Sequence, residues 1–185
     1  MTGQPPQISA NASGWDAGQT IAGMRLRKAA RVLILDPQKR VLLVKGHDSD
    51  RPDRQWWFTI GGGIDLGETP EQAAVREVFE ETGIELKQTQ LIGPVIERTA
   101  IFDFAAEHCV QHELIYLVEL DAVPDTNTSG WTEVENSFLE EMAWLSAADI
   151  ADSSIEVFPE NLGDLVANLS QGWDGTLLNL GIAEE

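Results

Sequence analysis

Three glutamates, Glu77, Glu80 and Glu81, crowd together in the stretch GGGIDLGETPEQAAVREVFEETGIEL, which runs from Gly61 to Leu86. On a helix, carboxylates three and four residues apart repel by roughly a few tenths of a kcal/mol per pair, and acids in a last turn oppose the macrodipole. The same crowding has a chemical use. Hard oxygen donors on a rigid element suit Mg²⁺ or Mn²⁺, which bind carboxylates while keeping water and phosphate oxygens as further ligands. A solvated acidic face would explain the helix alone. The glycines at 61, 62 and 63 shift the balance, because they let backbone approach closely between a strand and the carboxylates.

The elements that must position these groups are legible around them. Thr69 as N-cap, Pro70 at the first helical position and Gln72 three residues after the cap form a capping box, and Gly83 supplies a stop. At about 100° per residue, Val75, Val78, Phe79 and Thr82 share one side, with Ala74 at its margin, and Glu77, Glu80 and Glu81 occupy the other. The first side is expected to pack. Upstream, residues 26–36 and 40–46 read as a hairpin across the turn DPQK, followed by the aromatic strand WWFTI (Trp56–Ile60). Downstream, two strands flank the turn AAEHC, with Pro94 marking an edge or bulge. A long turn-rich loop, the short strand EEMAWL, a short helix capped by Ser146 and a helix within residues 159–172 follow. Mixed strands with helices for both faces predict an α/β class, layered α/β/α.

Composition bounds the rest. A chain of 185 residues with 43% hydrophobic residues suits one domain with a buried core. Acids outnumber bases 31 to 12, a formal charge of −19, which argues against nucleic-acid or anionic-membrane partners. It also requires that any phosphate substrate be neutralised by something other than bulk charge. The single cysteine, Cys109, permits no internal disulfide and no cysteine-based zinc site. No apolar run reaches the roughly 18 residues of a span and no signal-peptide pattern opens the chain, so a cytoplasmic location is the expectation.

Gly62, five residues, Glu68, seven residues, then Arg76, Glu77, Val78, Phe79, Glu80, Glu81, Thr82, Gly83 and Ile84 match G-x5-E-x7-R-E-U-x-E-E-x-G-U at all nine restricted positions. This is the Nudix box, and the chain resembles a Nudix hydrolase. The resemblance implies a Nudix fold with a mixed β-sheet between helices. It implies metal-dependent hydrolysis of a diphosphate bond in a nucleoside diphosphate linked to another moiety. Carried over by position, Glu77, Glu80 and Glu81 are the metal-binding carboxylates and the Gly61 carbonyl is a further ligand, with Mg²⁺ or Mn²⁺ as cofactor. Glu77 also orients or deprotonates the attacking water, Arg76 fixes a box glutamate by a forked ion pair, and Glu68 supports the loop-to-helix junction. The domain is expected to span 23–175, between an N-terminal tail (1–22) and a C-terminal tail (176–185).

Family members differ in their base, and Glu113, Glu133, Glu135, Glu140 and Glu141 are candidates, Glu141 being favoured because it precedes the strand around Trp144. Arg54, Trp57 and Arg98 are candidate substrate contacts, either Trp56 or Trp57 facing the site. Signatures of NADH, ADP-ribose and dinucleoside polyphosphate subgroups are missing, so no specific substrate is assigned. The alternative to an enzyme is a Nudix-fold sensor of a nucleotide or nucleotide sugar. Family resemblance also raises a homodimer as an expectation.

Overall fold

The computed structural model describes residues 15–21, 23–48, 51–104, 107–133 and 135–184. Nine strands among these residues build one mixed sheet. β1 spans Trp15–Ile21, β2 Met24–Leu35, β3 Val41–His47, β4 Gln55–Gly63, β5 Ile92–Phe104 and β6 Glu107–Glu119. β7 spans Leu139–Leu145, β8 Glu156–Phe158 and β9 Leu178–Glu184, and the helices are α1 (Pro70–Thr82), α2 (Ala147–Ala151) and α3 (Leu162–Leu169). The strand order is β7-β3-β4-β2-β6-β5-β9, with β1 added to β2 and β8 to β4.

Strand alternation divides the core into two layers. Ala30, Val32 and Ile34 of β2 join Ala73, Ala74 and Val78 of α1 on one face. Leu33 and Leu35 meet Ile150 of α2 and Leu162, Leu165 and Val166 of α3 on the other. Each fully buried leucine or isoleucine contributes about 1.5–3 kcal/mol, so both helix layers are held mainly by apolar burial. The fold is therefore the expected α/β/α sandwich.

β4 is the strand that shapes the site. Its residues 55–59 pair with β3 along one edge, while on the other edge β8 takes residues 56–58 and β2 takes 60–63. The expected β2–β3 hairpin thus reduces to the single pairing Leu35–Val41. Turn chemistry joins the two strands, with Asp36 accepting from the Gln38 and Arg40 amides, but β4 inserts between them. Pro94 lies within a register irregularity of the β5–β6 pair, as its lack of an N–H requires.

The segment 176–185, expected as a tail, instead contributes β9, paired in parallel with β5. Its side chains are almost all exposed, although Leu178, Leu180 and Ile182 alternate as in a strand and Leu180 packs against the core, and backbone hydrogen bonding at a sheet edge holds it. Within the segment expected as an N-terminal tail, Trp15–Ile21 forms β1. Residues 1–14 and the side chain of Trp15 lie outside the described residues.

Candidate active site

The capping box forms as its residues predict: the Thr69 hydroxyl accepts from the Gln72 amide at 3.3 Å and the Gln72 side chain accepts from the Thr69 amide at 2.8 Å. Gly83 ends α1 in the left-handed conformation, φ 73°. The packed face, however, is rotated from expectation. Phe79 is 52% exposed, whereas Glu77 and Glu81 are buried beside Ala73, Ala74, Val78 and Thr82. Aliphatic preference alone would have turned Phe79 inward. What wins is the glycine run on β4, which presents polar backbone to the carboxylates.

Gly61 donates its N–H to Glu81 Oε2 at 2.8 Å. A Cβ on Gly62 would stand 2.6 Å from Glu77 Oε2, so the missing side chain is the space that the Glu77 carboxylate fills. Gly61 itself has φ 130°, and a Cβ there would lie 2.4 Å from the Ala30 carbonyl oxygen. Only glycine satisfies both positions.

Arg76 organises the acids around it. Its Nε and Nη2 fork onto Glu68 at 2.7 and 2.8 Å, Nη2 also donates to the Gly63 carbonyl at 2.9 Å, and Nη1 reaches Glu77 at 2.7 Å and Glu80 at 3.0 Å. Glu68 in turn accepts from the Asp65 amide at 2.9 Å. The fork holds Glu68 below the usual carboxylate range. Burial pushes Glu77 up despite Arg76. Burial, followed by the nearby Glu77 charge, pushes Glu81 up to about 8, with the Gly61 amide and Arg31 pulling the other way.

The helix end that opposes its own dipole is received by the loop before β7. Asn127 N–H donates to the Thr82 carbonyl at 2.9 Å, and the Trp131 indole donates to the Glu81 carbonyl at 2.8 Å. Gly130 packs so closely that a Cβ would meet the Glu80 carbonyl oxygen at 2.1 Å. These donors satisfy carbonyls that the last turn leaves open.

Whether a divalent cation suits these residues turns on their donor chemistry. Glu81 is a desolvated carboxylate with one amide donor and no ion pair among the described residues. Glu77, Glu80 and Glu81 with the Gly61 carbonyl form an all-oxygen set. Arg76 occupies Glu77 and Glu80, and among the described residues no three acid, histidine or cysteine side chains converge on one point. The donor types fit, and the exposed Glu80 is the side chain free to turn.

These acids line a cavity of about 800 Å³, together with Gly61, Gly62, Asp65, Gly130, Thr132 and Glu135. Trp56, Phe58, Phe138 and Phe158 supply aromatic wall, and Arg27, Arg31, Arg98 and Gln111 line it as well. Of the proposed substrate contacts, only Arg98 is in this lining. Arg54 forks onto Glu156 at 2.7 Å for both bonds and stacks over Trp56, while Trp57 packs against the α2/α3 core. Alternation along β4 puts Trp56, not Trp57, at the cavity. Glu141 is ion-paired with Lys45 at 2.9 Å outside the lining, as is Glu140. Glu113 is fully buried; burial raises its carboxyl, yet Arg31 and Arg98 outweigh that and hold it at about 2. Of the five loop and strand carboxylates considered as bases, only Glu135 lines the cavity among the described residues.

A NUDIX domain model matches residues 25–166. The chain belongs to the Nudix family. Among its relatives, mouse diphosphoinositol polyphosphate phosphohydrolase 3-alpha is 41% identical over 71 residues, which is 38% of this chain and 41% of that protein. The chain thus matches about two fifths of that relative's length. The E. coli dihydroneopterin triphosphate pyrophosphohydrolase structure is 27% identical with a TM-score of 0.52, covering 76% of this chain and 95% of that one. A MutT protein from Methanosarcina mazei, at 18% identity and TM-score 0.57, shares the fold over 79% of this chain and 94% of its own. In this Nudix domain the box residues span β4, the loop and α1, whereas the arginines Arg27, Arg31 and Arg98 come from strands outside the box. Their signal in the sequence was Arg25, Arg27 and Arg31 at alternating positions of one strand in an acidic chain. No helix among the described residues is long and apolar enough to cross a membrane.

Proposed function

We propose that this chain hydrolyses a pyrophosphate bond in a nucleoside diphosphate derivative, with Mg²⁺ or Mn²⁺ held by Glu77, Glu80, Glu81 and the Gly61 carbonyl. The observation that carries this is the burial of Glu77 and Glu81 against the glycine backbone in the wall of a cavity, in an acidic chain. Arg76 pairs with Glu77, but the buried Glu81 beside it has no ion pair among the described residues, and such a desolvated carboxylate is costly without a cation. When bound, a divalent cation neutralises the anhydride and acidifies a coordinated water.

The chain's own residues do the remaining work. Arg76 and Glu68 hold Glu77 in place, and Glu77, its proton affinity raised by burial, takes a proton as water attacks phosphorus and the bridging P–O bond breaks. Among the loop carboxylates considered as the base, Glu135 takes the place of Glu141 as the alternative to Glu77, because it lines the cavity. The relatives' names share a phosphoanhydride and differ in the group attached to it, which guides the assay. Incubation with Mg²⁺ and nucleoside triphosphates, nucleotide sugars, dinucleotides, a pterin triphosphate and an inositol pyrophosphate, followed by ³¹P NMR, should show one of them cleaved. Tight binding of one compound with turnover of none would establish a sensor instead.

A further inference from the structure

Three arginines from outside α1 line the cavity, in a chain of formal charge −19. Arg27 and Arg31 reach it from β2 and Arg98 from β5. In the strand registers Arg27 lies beside Gln111 and Arg98 beside Glu113. Glu113, 0% exposed, accepts from Arg31 Nε and Arg98 Nε, each at 2.5 Å, and from the Gln111 side-chain amide. One buried carboxylate therefore orders two guanidinium groups, and Arg27 lines the same cavity.

Two further observations point to a ligand. Arg27 Nε is buried and makes no hydrogen bond among the described residues. A buried charged donor left unpaired is costly, and a wall that contains one calls for an acceptor. Arg31 also donates from Nη1 to the Gly61 carbonyl at 3.1 Å and to that of Thr59 at 2.8 Å. Arg31 and Glu81 thus meet at Gly61, and the arginines and carboxylates line one cavity in which a substrate can touch both.

We propose that Arg27, with Arg31 and Arg98 fixed by Glu113, forms a subsite for a substrate phosphate that is not the one attacked. Guanidinium groups match phosphate oxygens, and the buried Glu113 orients two of them through their Nε atoms. The inference rests on the pyrophosphohydrolase reading for the identity of the ligand, but its test does not depend on turnover.

Inorganic pyrophosphate is titrated by calorimetry into the full chain, with a chelator present so that the carboxylates contribute no metal-bridged binding. Wild type should bind it, Arg27→Gln should weaken binding at least tenfold, and Arg27→Lys, which keeps charge without the Nε donor, should fall between. Lys39→Gln, which removes the same charge in the turn after β2 and outside the cavity lining, should bind like wild type. Equal affinity of wild type and both Arg27 variants, or no wild-type binding at millimolar pyrophosphate, overturns the subsite. Should the substrate panel show no turnover, the hydrolase reading falls while this comparison still decides the subsite. Turnover without pyrophosphate binding removes the subsite alone.

Discussion

Replacing Glu81 by glutamine should make the metal-free protein more stable, and increasingly so as pH rises. Glu81 titrates at about 8 in the folded chain against an ordinary 4.5, chiefly because it is buried. A raised carboxyl binds its proton more tightly in the folded state, so the associated stability is complete below pH 4.5 and is lost as pH rises to 8. Integrating that difference from pH 5.5 to 8 gives a loss on the order of 3 kcal/mol for wild type, or roughly 6–12 °C in Tm for a chain of this size. Glutamine keeps an oxygen to accept the Gly61 amide and has no proton to lose. Urea unfolding of both proteins in chelator at the two pH values checks this, the difference between them cancelling every other titrating group. Glu80→Gln should show little of the effect, since Glu80 is about half exposed. Parallel pH dependence of wild type and Glu81→Gln would refute the claim that desolvation at the glycine run governs this carboxylate. In the wild type, Mg²⁺ binding at pH 7 should release protons, because the ion needs the carboxylate ionised.

Adjacent glycines should fail differently. Gly61→Ala places a Cβ 2.4 Å from backbone at a left-handed φ and should lose several kcal/mol in urea unfolding, whereas Gly62→Ala meets only the Glu77 carboxylate and should fold but bind Mg²⁺ more weakly by calorimetry. Trp131→Phe removes the donor to the Glu81 carbonyl and should cost about 1–3 kcal/mol in thermal unfolding, with faster amide exchange in the last turn of α1. Glu113→Gln leaves Arg31 and Arg98 without their shared anion and should cost about 3–5 kcal/mol at neutral pH. The contribution of Glu113 has the opposite pH sense to that of Glu81: its carboxyl is depressed to about 2, so its stabilisation is present above pH 4.5 and lost as pH falls through 2. Acid titration of wild type against this variant measures it.

The sequence by itself determined α1 and its ends, because capping boxes, N1 proline and a left-handed C-cap glycine act within a few residues of backbone. It determined the two-layer helix cover and Ser146 as a cap for the same local reason. It also determined the family, since box spacing is a property of the chain. Which side of α1 is buried was a tertiary decision: Phe79 loses to Glu77 and Glu81 because β4, twenty residues from Glu81 at Gly61, offers an amide and a side-chain-free gap. The Glu113 network joins residues 82 and 15 positions apart, and no local pattern couples charges over such separations. Leu178, Leu180 and Ile182 alternate as a strand would, but the partner of β9 was a tertiary decision, because its pairing with β5 runs through backbone while most of its side chains face solvent. Short-range hydrogen-bonding geometry is written in neighbouring residues; desolvation and charge pairing depend on which distant strand becomes the wall.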